Sequence, residues 1–290
     1  MTITASVVTY NHHLLEFEPV LRSLFASPVD IIYVIDHSDS MLELKDELQE
    51  FARIVLNGEP ELRRKAEAGF RLIYLPHNNN GYGGGHNVAL REAMKEGSRY
   101  HLVVNPDVWF GPEVMPKIIN YMEEHPDVGQ IMPKVLFPNG GIQRLAKMLP
   151  TPLDLIGRLC IPHFIIKRRN ALFELKQSGF TKILNVPFLS GCFMFLRMSA
   201  VDEVGMFDEQ FFMYAEDIDL TRRIHKKYKT LYYPCVSIYH TFTRGSRKSL
   251  RLLIIHIQSI IKYFNKWGWI KDEERKKINR NVMQQIGGIV

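Results

Sequence analysis

The chain has 290 residues, 46% of them apolar, which is enough for one large domain or two modest ones. Its 37 Lys and Arg exceed its 31 Asp and Glu by a net +6, and the absence of a zinc-finger or RNP signature argues against a nucleic-acid partner. Cys160, Cys192 and Cys235 are widely spaced, which argues against a disulfide framework or a C-x-x-C zinc site.

The first residues, Met1 to Val8, carry no basic side chain and enter a strand pattern at once, so no signal peptide is expected. No apolar run approaches the ~20 residues that span a bilayer. With the cysteines taken as reduced, the expected setting is cytoplasmic, as a soluble or peripheral protein.

Strands and helices alternate through the first half. Residues 3–9 read as a strand, 14–25 as a helix after the turn-like Asn11-His12-His13, and 31–35 as a short buried strand ending at Asp36. Residues 42–56 have helical spacing. Residues 72–75 form a strand that feeds Asn78-Asn79-Asn80-Gly81-Tyr82-Gly83-Gly84-Gly85, read as a glycine loop opening into a helix over 88–96. Glycines permit positive φ and close approach to a ligand, and a helix start suits an anion. A strand over 101–104 precedes Asn105-Pro106-Asp107, and 113–124 reads as helix. This alternation predicts a parallel sheet covered on both faces, with ligands at the carboxyl ends of the strands. Asp36, Asn80 and Asp107 each follow a strand and can face one crevice.

After residue 128 the pattern changes. Residues 130–137, 183–186, 192–197 and 231–239 are strand-like, 150–169 is irregular, apolar and basic, and 216–228 has helical spacing. A long amphipathic helix over 249–269 and a polar tail close the chain. Leu252, Leu253, Ile255, Ile260, Tyr263 and Trp267 form an apolar stripe on that helix beside Arg247, Lys248, Arg251, Lys262 and Lys266. This suits either peripheral contact with anionic lipid or packing on the catalytic domain.

Several features carry chemistry. Asp107 is a carboxylate of the kind that, with substrate phosphates, holds Mg2+ or Mn2+. Glu216-Asp217-Ile218-Asp219 could be acids favoured by a helix start, but they follow the aromatic run Phe207 to Tyr214. Desolvation there would raise a carboxylate and suit a general base. The glycine stretch lacks the third glycine of a dinucleotide fingerprint and the lysine of a P-loop. No H-E-x-x-H or G-x-S-x-G pattern occurs. A nucleotidyltransferase and a non-catalytic nucleotide-sugar-binding protein remain as alternatives.

Taken in order, Val7-Val8-Thr9-Tyr10-Asn11, Ile35-Asp36-His37-Ser38, the Asn80 to Asn87 stretch, Asn105-Pro106-Asp107, Ser190-Gly191-Cys192-Phe193-Met194, Gly205 to Phe212 and Glu216-Asp217-x-Asp219-Leu220 resemble inverting glycosyltransferases of family 2. The nearest subgroup is similar to bacterial rhamnosyltransferases that build cell-envelope polysaccharide. The resemblance covers roughly residues 1–270 and implies an α/β GT-A fold, with a Rossmann-like, mostly parallel central sheet flanked by helices. It places a catalytic domain over 1–245, with a nucleotide half to 127 and an acceptor half from 128, and a C-terminal helical segment over 246–290.

The resemblance further implies a nucleoside-diphosphate-sugar donor contacted by Thr9, Asn11, Asp36, Asn80, Gly81 and Gly83, and a divalent metal, Mg2+ or Mn2+, on Asp107 and His240. It implies Asp217 as the catalytic base, a sugar such as rhamnose, and a growing lipid-linked glycan as acceptor, at the inner face of the plasma membrane. Asn105 departs from the family's first D-x-D carboxylate, which bears on metal affinity.

Overall fold

The computed structural model describes residues 1–38, 41–157, 161–241 and 249–287. The first part of the chain runs β1 (Ile3–Thr9), α1 (Leu14–Phe25), β2 (Ile31–Asp36), α2 (Met41–Gly58), α3 (Pro60–Glu67), β3 (Arg71–Pro76), α4 (Gly81–Lys95), β4 (Tyr100–Val104), β5 (Val108–Trp109) and α5 (Val114–Glu124). The remainder runs β6 (Val128–Leu136), β7 (Ala146–Lys147), α6 (Pro152–Leu155), α7 (His163–Phe173), β8 (Leu184–Asn185), β9 (Phe188–Leu189), β10 (Phe193–Arg197), α8 (Met198–Val204), α9 (Glu216–His225), β11 (Lys229–His240), α10 (Leu250–Trp267) and α11 (Glu273–Gln285).

One sheet organises the described residues, in the order β3-β2-β1-β4-β10-β6-β11-β5 with β8 beside β11. Its first four strands are parallel. Every residue of β2 and β4 is buried, as expected where helices cover both faces of such a sheet, and β1 buries Thr4, Ser6 and Thr9 among its apolar residues. Beneath the sheet, Leu44, Leu48, Phe51, Ala52 and Val55 of α2 line one helical face of the core. Antiparallel β10 joins this half to β6, which pairs in parallel with β11. The register of β11 slips between Tyr233 and Ser237, across Pro234, which has no N–H for the ladder. Beyond that slip, His240 pairs with Val108 of β5, so the end of β11 lies directly against the Asn105-Pro106-Asp107 turn.

The structure differs from the sequence expectation in three places. The glycine stretch is not a loop, because Gly81, Gly83, Gly84 and Gly85 form the first turns of α4. Residues 150–169 are not irregular throughout. α7 escapes the periodic pattern because Phe164, Ile165 and Ile166 are consecutive, and only Ile166, Asn170 and Phe173 turn inward. The tail after 270 is a helix despite few apolar residues, since Asp272 caps α11 and Asn279 bonds both backbone groups of Leu149.

The C-terminal helices pack on the rest of the molecule through Ile260, Tyr263, Phe264 and Val282, all in one core cluster with the sheet. Fully buried Arg222 of α9 pairs with Asp272 and Glu274 and lies 4.1 Å from the Trp267 ring centroid. The first six residues expected in the 246–290 segment include 246–248, which lie outside the described residues. Cys160 also lies outside them; Cys192 and Cys235 are unpaired.

Candidate active site

Asp107 and His240 meet at the junction of β5 and β11. His240 Nε2 stands 3.2 Å from Asp107 Oδ1, and the Thr241 N–H donates to the Asp107 carbonyl. On the other side of the ring, His240 Nδ1 lies 3.0 Å from Gln143 Oε1. The Gln143 amide orientation is fixed, because its Nε2 donates to the carbonyls of His240 (2.7 Å) and Leu136 (3.3 Å). Gln143 Oε1 is therefore an acceptor, and the ring proton sits on Nδ1. In the neutral ring the lone pair of Nε2 then faces a carboxylate oxygen. Two acceptors in that arrangement call for a cation between them, either a second ring proton or a metal ion.

The donor set fits a divalent ion. One carboxylate oxygen and one imidazole nitrogen suit Mg2+ or Mn2+ when phosphate oxygens supply the rest. Among the described residues no cluster of three or more His, Cys, Asp or Glu is poised for a metal, so the protein contributes few ligands. Asn105 adds an oxygen in the same turn. Its buried Oδ1 has no hydrogen-bond partner, which leaves an acceptor available where the family's first carboxylate would stand.

The segment Ser190-Gly191-Cys192 connects this turn to the acidic cluster. The Cys192 carbonyl accepts from the Asn105 N–H at 3.0 Å, while the Gly191 N–H donates to Asp217 Oδ2 at 2.9 Å. Burial, with the charges of Asp107 and Asp217 added, pushes the Cys192 thiol up to about 12. Tyr82 feels both carboxylates as well, and burial drives its hydroxyl far above its usual value. That hydroxyl donates to the Gly191 carbonyl at 2.5 Å. Gly191 is closely packed, since a Cβ there would lie 3.3 Å from both Asp217 and Tyr82 and would press on them.

Within the cluster the three acids divide their roles. Asp217 is half-buried; its oxygens accept from the N–H groups of Gly191 and Ile218 (2.8 Å). Burial raises it, and those two N–H bonds and Lys147 pull it back. Glu216 is buried, accepts from the Ala215 N–H, and is raised by burial and by the Asp217 charge beside it. Asp219 is fully buried and tied to Arg223, Lys266 and the Trp267 indole at 2.7–2.8 Å. Asp217 is the acid of the three that can hold a charge at the cleft.

Of the residues expected at the donor, Thr9, Asn11 and Asp36 lie at or just past the carboxyl ends of β1 and β2. Asn11, Asp36 and Ser38, with His12, His13, Leu44 and Glu47, line a cavity of about 270 Å³. Asp36 organises these strand ends, accepting from Thr9, from the N–H and hydroxyl of Ser38, and from Tyr74. Asn11 adopts φ +53° while its N–H donates to Ser38. Gly81 and Gly83 are enclosed by the protein itself. Gly81 has φ +80° and a Cβ there would overlap the Phe212 carbonyl; Gly83 abuts Phe207. The N–H groups of Gly81 and Tyr82 are taken by Asn79 and Phe212, and Asn80 precedes the helix start.

Sequence reasoning passed over Gln143, Tyr82 and Lys147. Lys147 lies within 5.0 Å of the Phe188 ring centroid and acts on both Asp217 and Cys192. Nothing in its neighbours 146 and 148 marks it. Tyr82 carried a signal, as the one large side chain among the glycines of 81–85. Of the histidines other than His240, His86 and His101 share the Ser6 hydroxyl at 2.7 and 2.8 Å, a hydrogen-bonded core role.

The chain is similar to known glycosyltransferases. The family model described as glycosyl transferase family 2 matches residues 4–205. Two relatives from Mycobacterium tuberculosis strains CDC 1551 and H37Rv, each named N-acetylglucosaminyl-diphospho-decaprenol L-rhamnosyltransferase, are 28% identical over 140 residues. That match is 48% of this chain and 46% of theirs, so it spans about half the length of these relatives. Among solved structures, GalNAc-T7 with UDP, GalNAc and Mn2+ superposes with a TM-score of 0.62 at 12% identity, covering 99% of this chain and 54% of its own. Mannosyltransferase PcManGT from Pyrobaculum calidifontis, in complex with GDP-Man and Mn2+, gives 0.54 at 14%, covering 99% and 76%. Residues 1–349 of S. aureus TarS give 0.53 at 17%, covering 96% and 69%. At these identities the solved structures show the fold, which is GT-A.

Proposed function

The chain belongs to glycosyltransferase family 2, and from that premise we propose that it moves rhamnose from a nucleoside-diphosphate-sugar to a hydroxyl of a lipid-linked glycan, with inversion. The observation that carries this reading is the pairing of two half-sites through Ser190-Gly191-Cys192. The Asp107–His240 pair stands on one side and Asp217 on the other. The rhamnosyl donor and the diphospho-lipid acceptor are taken from the name of the Mycobacterium tuberculosis relatives.

The roles follow from chemistry. Asp107 and His240 would hold Mg2+ or Mn2+, with Gln143 keeping the Nε2 lone pair turned to the ion. When bound, the ion neutralises charge that builds on the departing diphosphate. Asp217 accepts the proton of the acceptor hydroxyl as that oxygen attacks the anomeric carbon from the face opposite the diphosphate. The single displacement inverts the anomeric centre. Glu216, buried and held towards its neutral form, does not compete for that proton. Thr9, Asn11 and Asp36 would meet the nucleoside, with Asn80 at the start of α4 and Gly81 and Gly83 acting through their packing on Phe212 and Phe207. Residues 1–245 would then be the catalytic domain and 246–290 an appended segment.

The test is incubation with deoxythymidine-diphosphate rhamnose or uridine-diphosphate sugars and a short lipid-diphosphate-linked N-acetylglucosamine, following sugar transfer and the anomeric configuration of the product. Inverted rhamnosyl product supports the proposal. Tight nucleoside-diphosphate binding with neither transfer nor donor hydrolysis would replace it with the non-catalytic binding protein.

A further inference from the structure

The apolar stripe read from the sequence of α10 turns out to face the protein. Ile260 and Tyr263 are buried, and Leu252, Leu253, Ile255 and Trp267 are half-buried. A second stripe points outward. Leu250, Ile254, Ile257 and Ile261 recur at spacings of a helical face and are 41% to 73% exposed. α6 touches both α10 and α7, and α7 turns Phe164 and Ile165 out at 78% and 62% exposure. Large aliphatic and aromatic side chains held this far into water on neighbouring elements mark an interaction surface.

The charge around them selects the partner. Within α10 the sequence has Arg251, Lys262 and Lys266 and no Asp or Glu, and within α7 it has Lys167, Arg168 and Arg169 and none. Arg169, Lys262 and Lys266 are engaged by the fold, whereas Lys167, Arg168 and Arg251 are exposed beside the apolar residues. An apolar face bearing the exposed cations Lys167, Arg168 and Arg251 complements an anionic lipid surface. No helix of the described residues is long and apolar enough to cross a membrane, so the elements would lie along the surface. The same helix reaches the catalytic acids. His256 of α10 lies against Tyr214 with ring centroids 4.5 Å apart and planes tilted by 32°, and Tyr214 lies three residues before Asp217.

We propose that the outer faces of α10 and α7 together form a docking surface for an anionic phospholipid bilayer, set beside the Asp217 side of the cleft. Docked this way, a lipid-linked hydroxyl at the bilayer surface approaches from the side where the base stands. The surface rests on these side chains and not on the transfer reading, and it binds lipid whatever reaction Asp217 performs.

The experiment is flotation with phosphatidylcholine vesicles, with and without phosphatidylglycerol, in the absence of any sugar. The protein is expected to float with the phosphatidylglycerol vesicles at low salt, to be released by salt, and to stay behind with phosphatidylcholine alone. The double variants Ile254→Glu with Ile257→Glu, and Phe164→Glu with Ile165→Glu, are each expected to lower the bound fraction about tenfold or more. Because all four positions are exposed, melting temperature and nucleoside-diphosphate binding should hold. Failure of the unmodified protein to float, equal flotation without phosphatidylglycerol, or unchanged binding by either double variant would overturn the proposal. So would sedimentation showing that the parent is a dimer and the variants monomers, with no vesicle binding, which would assign the face to a second copy of the chain.

Discussion

Replacing Asp217 by Asn probes the centre of the proposed chemistry, and the structure allows its size to be worked out. Each Asp217 oxygen accepts one backbone N–H, from Gly191 at 2.9 Å and Ile218 at 2.8 Å. An asparagine has one oxygen, so in either orientation its NH2 confronts one of those N–H groups. An unmade hydrogen bond of that kind costs about 1–3 kcal/mol. Removal of a general base lowers rate by about 10²–10⁴-fold, or about 2.7–5.4 kcal/mol of barrier at 1.36 kcal/mol per decade. The catalytic loss should therefore exceed the loss of stability. Single-turnover sugar transfer, measured beside calorimetric binding of nucleoside diphosphate, separates the two. Transfer is expected to fall by two to four decades with binding nearly unchanged, since the base faces the acceptor. The parent rate should also rise with pH through a carboxylate range lifted by burial, a limb that the Asn variant lacks. Near-normal transfer by Asp217→Asn together with a dead Glu216→Gln would move the base to Glu216. No loss in either would refute the mechanism.

Four further variants have expected outcomes. Glu216→Gln imitates the neutral acid and should keep most activity. Because the folded value of Glu216 is raised above its ordinary 4.5, its stabilisation is complete at low pH and is lost as pH rises through the raised value; urea titrations should show this decline in the parent and not in the Gln variant. Asp219→Asn should leave the chemistry largely intact but loosen α10, because Arg223, Lys266 and Trp267 lose a buried partner. Breaking such a site costs about 3–5 kcal/mol, seen as a fall of roughly 5–15 °C in melting temperature by calorimetry. Gln143→Leu should weaken metal-assisted nucleoside-diphosphate binding about 10–100-fold by releasing the His240 ring, and Asp107→Ala should remove the metal dependence altogether. Titration with and without Mg2+ or Mn2+ decides both, and a chelator that changes nothing in the parent would dismiss the metal assignment.

Much of this protein can be read before it folds. A strand buried on both faces is mostly apolar, so β1, β2 and β4 announce the parallel half of the sheet in their composition. The acids and the Asn105-Pro106-Asp107 turn stand out because polar residues at strand ends have few structural reasons to be there. Their joint order along the chain, more than any one of them, identified the family.

Other features exist only in three dimensions. The glycine stretch allows positive φ at Gly81 and close packing at Gly83, but sequence does not reveal whether the close neighbour is a ligand or, as here, Phe207 and Phe212. Gln143, Lys147 and Tyr82 join the site through contacts with residues 217 and 240 or 191, and side chains so far apart in sequence share no local pattern. The C-terminal helix makes the limit plainest. Its residues satisfy helical spacing for two apolar stripes, one through Ile260 and Tyr263 and one through Ile254 and Ile257. Periodicity states that side chains share a face; only the packing of the rest of the molecule decides which face is removed from water.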